Sequence, residues 1–267
     1  DRVLHEQFID EVFISSRVDA ESFGRIASLT YRKRIDCKVI SEVHPGTNPR
    51  QATKFVGNFA VLELYAEPIT SSGSLLKRVI DIFGAGAAVL VTSPVFLLIA
   101  LAIRLESKGP VIYSAVRVGK KGKTFKCLKF RTMVPNADDL KQDLAHLNER
   151  DGALFKITND PRITRVGRIL RKISLDELPQ FLNVLAGDMS MVGPRPPDLF
   201  DYNRYDYRHL RRLDVTPGIT GLWQVTSRKD PSFNTMMQLD LEYIENWSLY
   251  MDFKIMFLTL PALARGA

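Results

Sequence analysis

The sequence predicts an α+β protein: a mostly helical core with a membrane-dipping helix–break–helix and amphipathic interfacial helices, preceded by a partial α/β unit. Three observations predict this. Residues 1–73 alternate strand-like and helix-like stretches, whereas helical periodicity dominates the rest. The 22 residues from Ile82 to Ile103 carry no charge. The excess positive charge is segregated: nine of the 37 Lys and Arg and ten of the 30 Asp and Glu lie in 1–73, leaving 28 against 20, a net of +8, in 74–267. The expected division is therefore a soluble α/β fragment with its linker over 1–73 and a membrane-associated unit over 74–267, with the dipping helix at about 75–106.

Each element has a local reason. Glu11–Ser16 reads as a strand, Asp19 as the cap of a helix running to about Arg34, and Asp36–Val43 as a second strand. Residues 44–49 (HPGTNP) form a loop, Phe59–Tyr65 a further strand, and Ser71–Ser74 a linker. The chain opens at Asp1-Arg2 on only part of a sheet, so it reads as cut from a longer protein.

As one helix, Ile82–Ile103 would run about 33 Å, enough to cross a bilayer core. Ser93-Pro94 interrupts it. Lys77 and Arg78 before it and Arg104 and Lys108 after it place both ends on the cytoplasmic side by the positive-inside rule. A segment that dips into one leaflet and returns satisfies both constraints. A proline-kinked span and a buried core helix remain as alternatives.

Val111–Tyr113 precedes a basic stretch in which Gly119 and Gly122 mark a turn, so Val116–Val118 and Thr124–Phe130 pair as a hairpin. Pro135–Arg150 is a polar helix. Arg162, Arg165, Arg168 and Arg171 recur every three residues between Ile163, Val166, Ile169 and Leu170. They form a cationic stripe that either faces water or, beside an apolar hairpin, lies on anionic headgroups or phosphate. Leu175–Leu185 is a short helix, Gly193–Pro197 a stiff irregular loop, Asp198–Leu213 a helix and Pro217–Gly221 a turn. Met236–Asn246 and the apolar Trp247–Leu263 are the last helices. Trp247 and Tyr250 suit a membrane interface or an aromatic cap on a core helix.

Two constellations carry chemistry. Ser174-Leu175-Asp176-Glu177 has capping-box spacing. It also sets two adjacent carboxylates at a helix start among basic residues, one able to act as nucleophile and the other to hold Mg²⁺. On that reading the helix start and the nearby arginines keep a carboxylate ionised. Gly193-Pro194-Arg195-Pro196 mounts Arg195 on a backbone stiffened by Pro194. There it either clamps a phosphate at little entropic cost or simply lies exposed.

Composition narrows the classes further. With 45% hydrophobic and 25% charged residues and a mean hydropathy of -0.06 over 267 residues, the chain is neither disordered, collagen-like nor polytopic. A net charge of +7 and a pI near 9.4 call for an anionic partner. Nucleic acid is disfavoured, because the basic part also holds the uncharged apolar run. Cys37 and Cys127 form no metal or disulfide framework. His5, His44, His146 and His209 suggest no triad. Phosphate-loop, dinucleotide-binding, HExxH and GxSxG motifs are absent.

Taken together, several stretches carry a resemblance. LLKRVIDIFGA (75–85), SPVFLLIALAIRLES (93–107) and GPVIYSAVRVGKKGKTFKCLKFRTM (109–133) come first. NDPRITRVGRILRKISLDELPQFLNVLAGDMSMVGPRP (159–196), VTPGITGLWQV (215–225) and LDLEYIENWSLYMDFKIMFLT (239–259) follow. In this order the region from about Leu75 to the C-terminus resembles the bacterial sugar transferase family, the monotopic phosphoglycosyl transferases. Residues 1–73 look like the tail of the Rossmann-like domain that precedes the core in its long members.

The resemblance implies transfer of a sugar-1-phosphate from a UDP-sugar to undecaprenyl phosphate with release of UMP, at the start of exopolysaccharide, capsule or O-antigen synthesis. It implies a re-entrant helix broken at Ser93-Pro94. Asp176 would form an aspartyl-phosphosugar, while Glu177, with Asp176 beside it, would hold Mg²⁺. It carries Lys129, Arg131, Arg171, Pro194, Arg195, Arg228 and Asp240 over as the substrate and phosphate cradle. Ser227-Arg228 stands where the family commonly has Gly-Arg, and Phe233 where it has a nearby Trp, so the shape that chooses the sugar differs here. Glucose and galactose are the expected sugars. The expected setting is a homodimer on the cytoplasmic face of the bacterial inner membrane, with the lipid bilayer as a partner and no nucleic acid.

Overall fold

The computed structural model describes residues 9–15, 17–41, 54–56, 59–63, 69, 71–137, 157, 160–227 and 232–264. The first unit is a four-stranded mixed sheet in the order β1-β2-β4-β3. Strand β1 (Glu11–Ser15), helix α1 (Ala20–Lys33) and β2 (Asp36–Ser41) form a parallel βαβ unit. Strands β3 (Lys54–Val56) and β4 (Phe59–Glu63) then add an antiparallel hairpin. Asp19 caps α1 by accepting a hydrogen bond from the Ser22 amide (2.8 Å), as the sequence predicts. Among the described residues this sheet has one parallel pairing and two antiparallel ones, a βαβ unit plus a hairpin.

Helix α1 is fastened to the rest of the chain. Tyr31 packs with Val118, Tyr205, Leu210, Leu213, Met236 and Met237 in one buried cluster. Its hydroxyl donates to Asp214 Oδ1 at 3.1 Å. Arg32 donates to the carbonyls of Tyr202, Asn203 and Tyr205 (3.2–3.3 Å). Burial pushes the Asp214 carboxyl up to about 6, against the Tyr31 hydrogen bond and the charges of Arg211, Lys121 and Lys120. A raised folded-state value means that this group favours folding most below its ordinary value of 3.8, and that this contribution is lost as pH rises through about 6. Asp214→Asn keeps the acceptor and cannot ionise. It is expected to stabilise the chain by on the order of 2 kcal/mol near neutral pH and by little near pH 4, as read from melts across that range.

The second unit is organised by helix α2 (Ser71–Glu106), with Pro94 inside it. It is the one helix among the described residues long and apolar enough to cross a membrane. The expected break is not an unwound segment: the helix runs through Ser93-Pro94. Proline has no amide hydrogen to give the Leu90 carbonyl, and Ser93 Oγ donates to that carbonyl instead, at 2.8 Å. Burial along α2 has two patches. Lys77, Asp81 and Ala85 are buried near one end and Ile99 and Ile103 near the other, with no buried residue between. Ala85 joins Cys127, Val184 and Met189, whereas Ile99 and Ile103 join Phe130 and Leu170.

The predicted hairpin is β5 (Ile112–Val118) with β6 (Thr124–Phe130), antiparallel, and β5 takes in Ile112 and Tyr113 of the separately predicted 111–113 stretch. Helix α3 (Arg165–Lys172) is capped by Thr164, which accepts from the Gly167 amide. Arg162 lies outside it, 5% exposed and bonded to Asp160 (2.6 Å), so it is not part of a stripe. Arg165, Arg168 and Lys172 are exposed alongside Ile169 and Ile173. The helix predicted over Leu175–Leu185 is a 3₁₀ turn (Leu175–Glu177) followed by α4 (Gln180–Ala186), because Pro179 caps the start of a new helix.

The short strand β7 (Ser190–Val192) pairs in parallel with β8 (Gly218–Thr220), which occupies the predicted 217–221 turn. The helix predicted over Asp198–Leu213 is split into α5 (Leu199–Arg204), α6 (Tyr207–Leu210) and a 3₁₀ turn (Arg211–Leu213). Asp206 ends the first piece by capping the second, its carboxylate taking the Arg208 and His209 amides. Helices α7 (Leu222–Thr226), α8 (Phe233–Glu245) and α9 (Leu249–Ala264) complete the fold. The polar helix expected over Pro135–Arg150 falls largely outside the described residues, as does Arg228.

Candidate active site

Three segments meet at Asp176-Glu177. Strand β6 supplies Lys129, whose Nζ donates to Glu177 Oε1 at 2.6 Å. The loop after β7 supplies Arg195, 3.4 Å from the same oxygen with its side chain 41% exposed. Helix α3 supplies Arg171, which donates through Nε to Thr132 Oγ1 at 2.9 Å. Asp176 and Glu177 sit in the 3₁₀ turn, Asp176 buried at 8% exposure. The turn is entered through Ser174 in the left-handed region (φ 56°), and the Ser174 side chain makes no cap bond. The capping-box alternative is therefore not realised.

At Asp176 the basic neighbours expected to keep a carboxylate ionised act against burial. Burial raises its carboxyl above the usual range, and the Lys129 charge opposes this, with smaller contributions from Arg171 and Arg195. Glu177 adds to the rise by like-charge repulsion. The same Glu177 holds the Arg195 guanidinium further above its ordinary value.

Close backbone contacts set this geometry. A Cβ on Gly167 would lie 2.1 Å from the Thr132 carbonyl oxygen, so α3 crosses the 131–134 segment where only glycine fits. Thr164 N–H donates to that carbonyl at 3.0 Å. Gly167→Ala is expected to cost about 1–3 kcal/mol and to lower activity by moving Arg171, measured by thermal melts alongside turnover. The GPRP loop is likewise pinned. Gly193 N–H donates to Thr220 O (2.9 Å), Gly218 N–H to Pro194 O (3.0 Å) and Val118 N–H to Pro197 O (3.0 Å).

Two predicted cradle residues are placed elsewhere. Arg131, 6% exposed, donates to the carbonyls of Ser107 and Lys108 and to Ser107 Oγ, closing the end of α2. Asp240, on α8 and 3% exposed, pairs with Arg212 rather than meeting the acidic dyad. Arg212 was not apparent in sequence. It is 2% exposed and donates to Asp240, to Tyr205 Oη (2.5 Å) and to the Arg195 carbonyl (2.9 Å). Asn183 was also missed: it locks α4 to β6 through Leu128 N–H (2.9 Å) and Lys126 O (2.7 Å). Among the described residues no three His, Cys, Asp or Glu side chains group as a metal cage.

A buried Asp176 beside a half-buried Glu177 in a cationic cradle, near a long apolar helix, is the site of an enzyme that handles phosphorylated substrates next to an apolar surface. The chain belongs to the bacterial sugar transferase family, whose model matches residues 72–266. It is 44% identical over 201 residues to the exopolysaccharide production protein ExoY of Rhizobium meliloti, covering 73% of this chain and 89% of that protein. It is 45% identical over 193 residues to the galactosyl transferase CpsE of Streptococcus agalactiae, covering 72% of this chain and 43% of that one. A UDP-glucose:undecaprenyl-phosphate glucose-1-phosphate transferase of Escherichia coli is 42% identical over 209 residues, 75% of this chain and 42% of that one. The chain thus spans most of ExoY and less than half of the two longer relatives.

Proposed function

We propose that this chain transfers a hexose-1-phosphate from a UDP-sugar to undecaprenyl phosphate and releases UMP, with UDP-glucose or UDP-galactose as donor. The observation that carries this reading is the buried Asp176 beside a Glu177 already held by Lys129 and Arg195, in a chain of this family. The names of the relatives, glucose-1-phosphate transferase and galactosyl transferase, support this donor class. Asp176 attacks the sugar-linked phosphorus and Lys129, Arg171 and Arg195 offset the negative charge of the phosphates. The donor set suits Mg²⁺, which binds through one or two carboxylates plus substrate phosphates and needs no all-protein cage. Asp176 and Glu177 would hold it, and when bound it neutralises phosphate charge.

The membrane reading rests on α2. Fourteen residues, about 21 Å of helix axis, separate Ala85 in one buried cluster from Ile99 in another, with Pro94 between them. Both ends pack into buried clusters of this unit while Leu90, Val91, Leu97 and Leu98 stay at least two-thirds exposed. This favours a helix bent at Pro94 that dips into the cytoplasmic leaflet of the inner membrane and returns. A UDP-sugar panel with undecaprenyl phosphate as acceptor tests the activity. UMP must appear with the lipid product, and release of UDP instead would identify simple glycosyl transfer and overturn the proposal.

A further inference from the structure

The proposed chemistry leaves the first unit without a role, and the family model begins after it, at residue 72. Its helix α1 is nevertheless built into the support behind Arg195. Among the described residues the Arg195 side chain has one hydrogen bond, the 3.4 Å contact with Glu177, and it is 41% exposed. Its aim therefore depends on the backbone that carries it. Two holds on that backbone come from the cluster that α1 enters. Arg212, between the buried Leu210 and Leu213, donates to the Arg195 carbonyl at 2.9 Å. Val118 donates its amide to the Pro197 carbonyl at 3.0 Å. Leu210, Leu213 and Val118 share one buried cluster with Tyr31 of α1. The same helix grips the chain on both sides of Arg212. Before it, Arg32 donates to the carbonyls of Tyr202, Asn203 and Tyr205, and Phe23 meets Tyr207 edge-on at 5.6 Å. Tyr205 in turn accepts from Arg212 through its hydroxyl. After it, Asp214 accepts from the Tyr31 hydroxyl at 3.1 Å, both residues 7% exposed.

We propose that Tyr31 and Arg32 are positioning residues for the transfer: they clamp residues 202–214 so that Arg212 holds the Arg195 carbonyl and keeps the guanidinium aimed at the dyad. This rests on the reading of Arg195 as a phosphate ligand. The first unit is then a brace on the phosphate-binding loop. The clamped stretch needs one. It consists of α5, α6 and a 3₁₀ turn, of six, four and three residues, and pieces so short do not hold their shape alone. Helix α1 has 14 residues and a capped start, so it offers a firm surface to pack them on. The close fit shows in Gly24, where a Cβ would lie 3.3 Å from the Tyr207 ring. Small errors in aim are costly, because a shift of about 1 Å at a charged group in the site lowers the rate by about a hundredfold.

The test uses the full chain in lipid nanodiscs with a UDP-sugar and undecaprenyl phosphate. Tyr31→Phe combined with Arg32→Gln keeps the ring in the cluster and removes the hydrogen bonds. It is expected to lower kcat/KM for the UDP-sugar by about tenfold. In an Arg195→Gln background, where Lys129 and Arg171 keep turnover measurable, the same pair should change it by less than about twofold, the non-additivity that marks a shared route. Asp214→Asn keeps an acceptor for Tyr31 and should match the wild type in kcat/KM. Asp19→Ala should melt lower through loss of the α1 cap, with kcat/KM unchanged. A second readout needs no turnover. Hydrogen exchange at the Gly218 amide, which donates to the Pro194 carbonyl, should quicken about tenfold in the α1 variant, whereas the Leu128 amide, held by Asn183, should not change. An equal loss with and without Arg195, an unchanged kcat/KM, or an unchanged Gly218 exchange rate would each overturn the brace. A wild-type chain that releases no UMP from any UDP-sugar would instead defeat the proposed function, and the Gly218 exchange rate alone would then decide the brace.

Discussion

Asp176→Asn is expected to abolish turnover, by about a thousandfold or more, with the fold intact. A carboxamide fills the same space and cannot form the acyl phosphate, and loss of a covalent nucleophile costs several orders of magnitude in rate. The site predicts no structural penalty. Asp176 is 8% exposed, and burial already disfavours its ionised form. A neutral side chain there removes a charge that the fold tolerates only because Lys129, Arg171 and Arg195 stand nearby. Two measurements separate chemistry from stability. Intact mass after exposure to UDP-sugar without acceptor should show one sugar-phosphate adduct on the wild type and none on the variant. Thermal melts of the two should coincide or favour the variant. An Asp176→Asn chain with full turnover would remove Asp176 from the mechanism.

The dyad was legible because its members are adjacent in sequence, and Lys129, Arg171 and Arg195 because each lies in a dense motif. What sequence could not show was which polar groups the fold would use internally. Arg131 looks like part of the cradle but closes the end of α2. Arg212, in a basic run with Arg211, reads as solvated, yet it is buried among partners 7, 17 and 28 residues away. Asn183 carries no charge pattern at all, and its role depends on the β6 backbone it bonds. Helix existence was readable from periodicity, but continuity was not. Asp206 and Pro179 each stop a helix by local chemistry that a run of apolar residues conceals. Along α2 the reverse holds: Pro94 signals a stop, and the Ser93 hydroxyl satisfies the freed carbonyl so that the helix continues.

Asp240→Ala is expected to lower the melting temperature by about 10 °C and to reduce turnover without touching substrate. Asp240 and Arg212 are 3% and 2% exposed, so removing the carboxylate strands a cation in the interior, at about 3–5 kcal/mol. The activity loss follows a separate route. Arg212 donates to the Arg195 carbonyl at 2.9 Å, so a displaced guanidinium releases the backbone that aims Arg195 at Glu177. A double variant distinguishes the two effects. Arg212→Met with Asp240→Leu replaces the pair by apolar groups of similar volume, and such replacements often restore stability. It should melt near the wild type and still turn over slowly, because nothing then holds the Arg195 carbonyl. Arg212→Lys keeps a charge for Asp240 but loses the planar fork that reaches Tyr205, Asp240 and Arg195 at once, so its defect should lie in turnover more than in stability. A double variant with restored activity would show that Arg212 serves only packing. An Asp240→Ala chain as stable as the wild type would show that the buried pair does not carry the stability assigned to it.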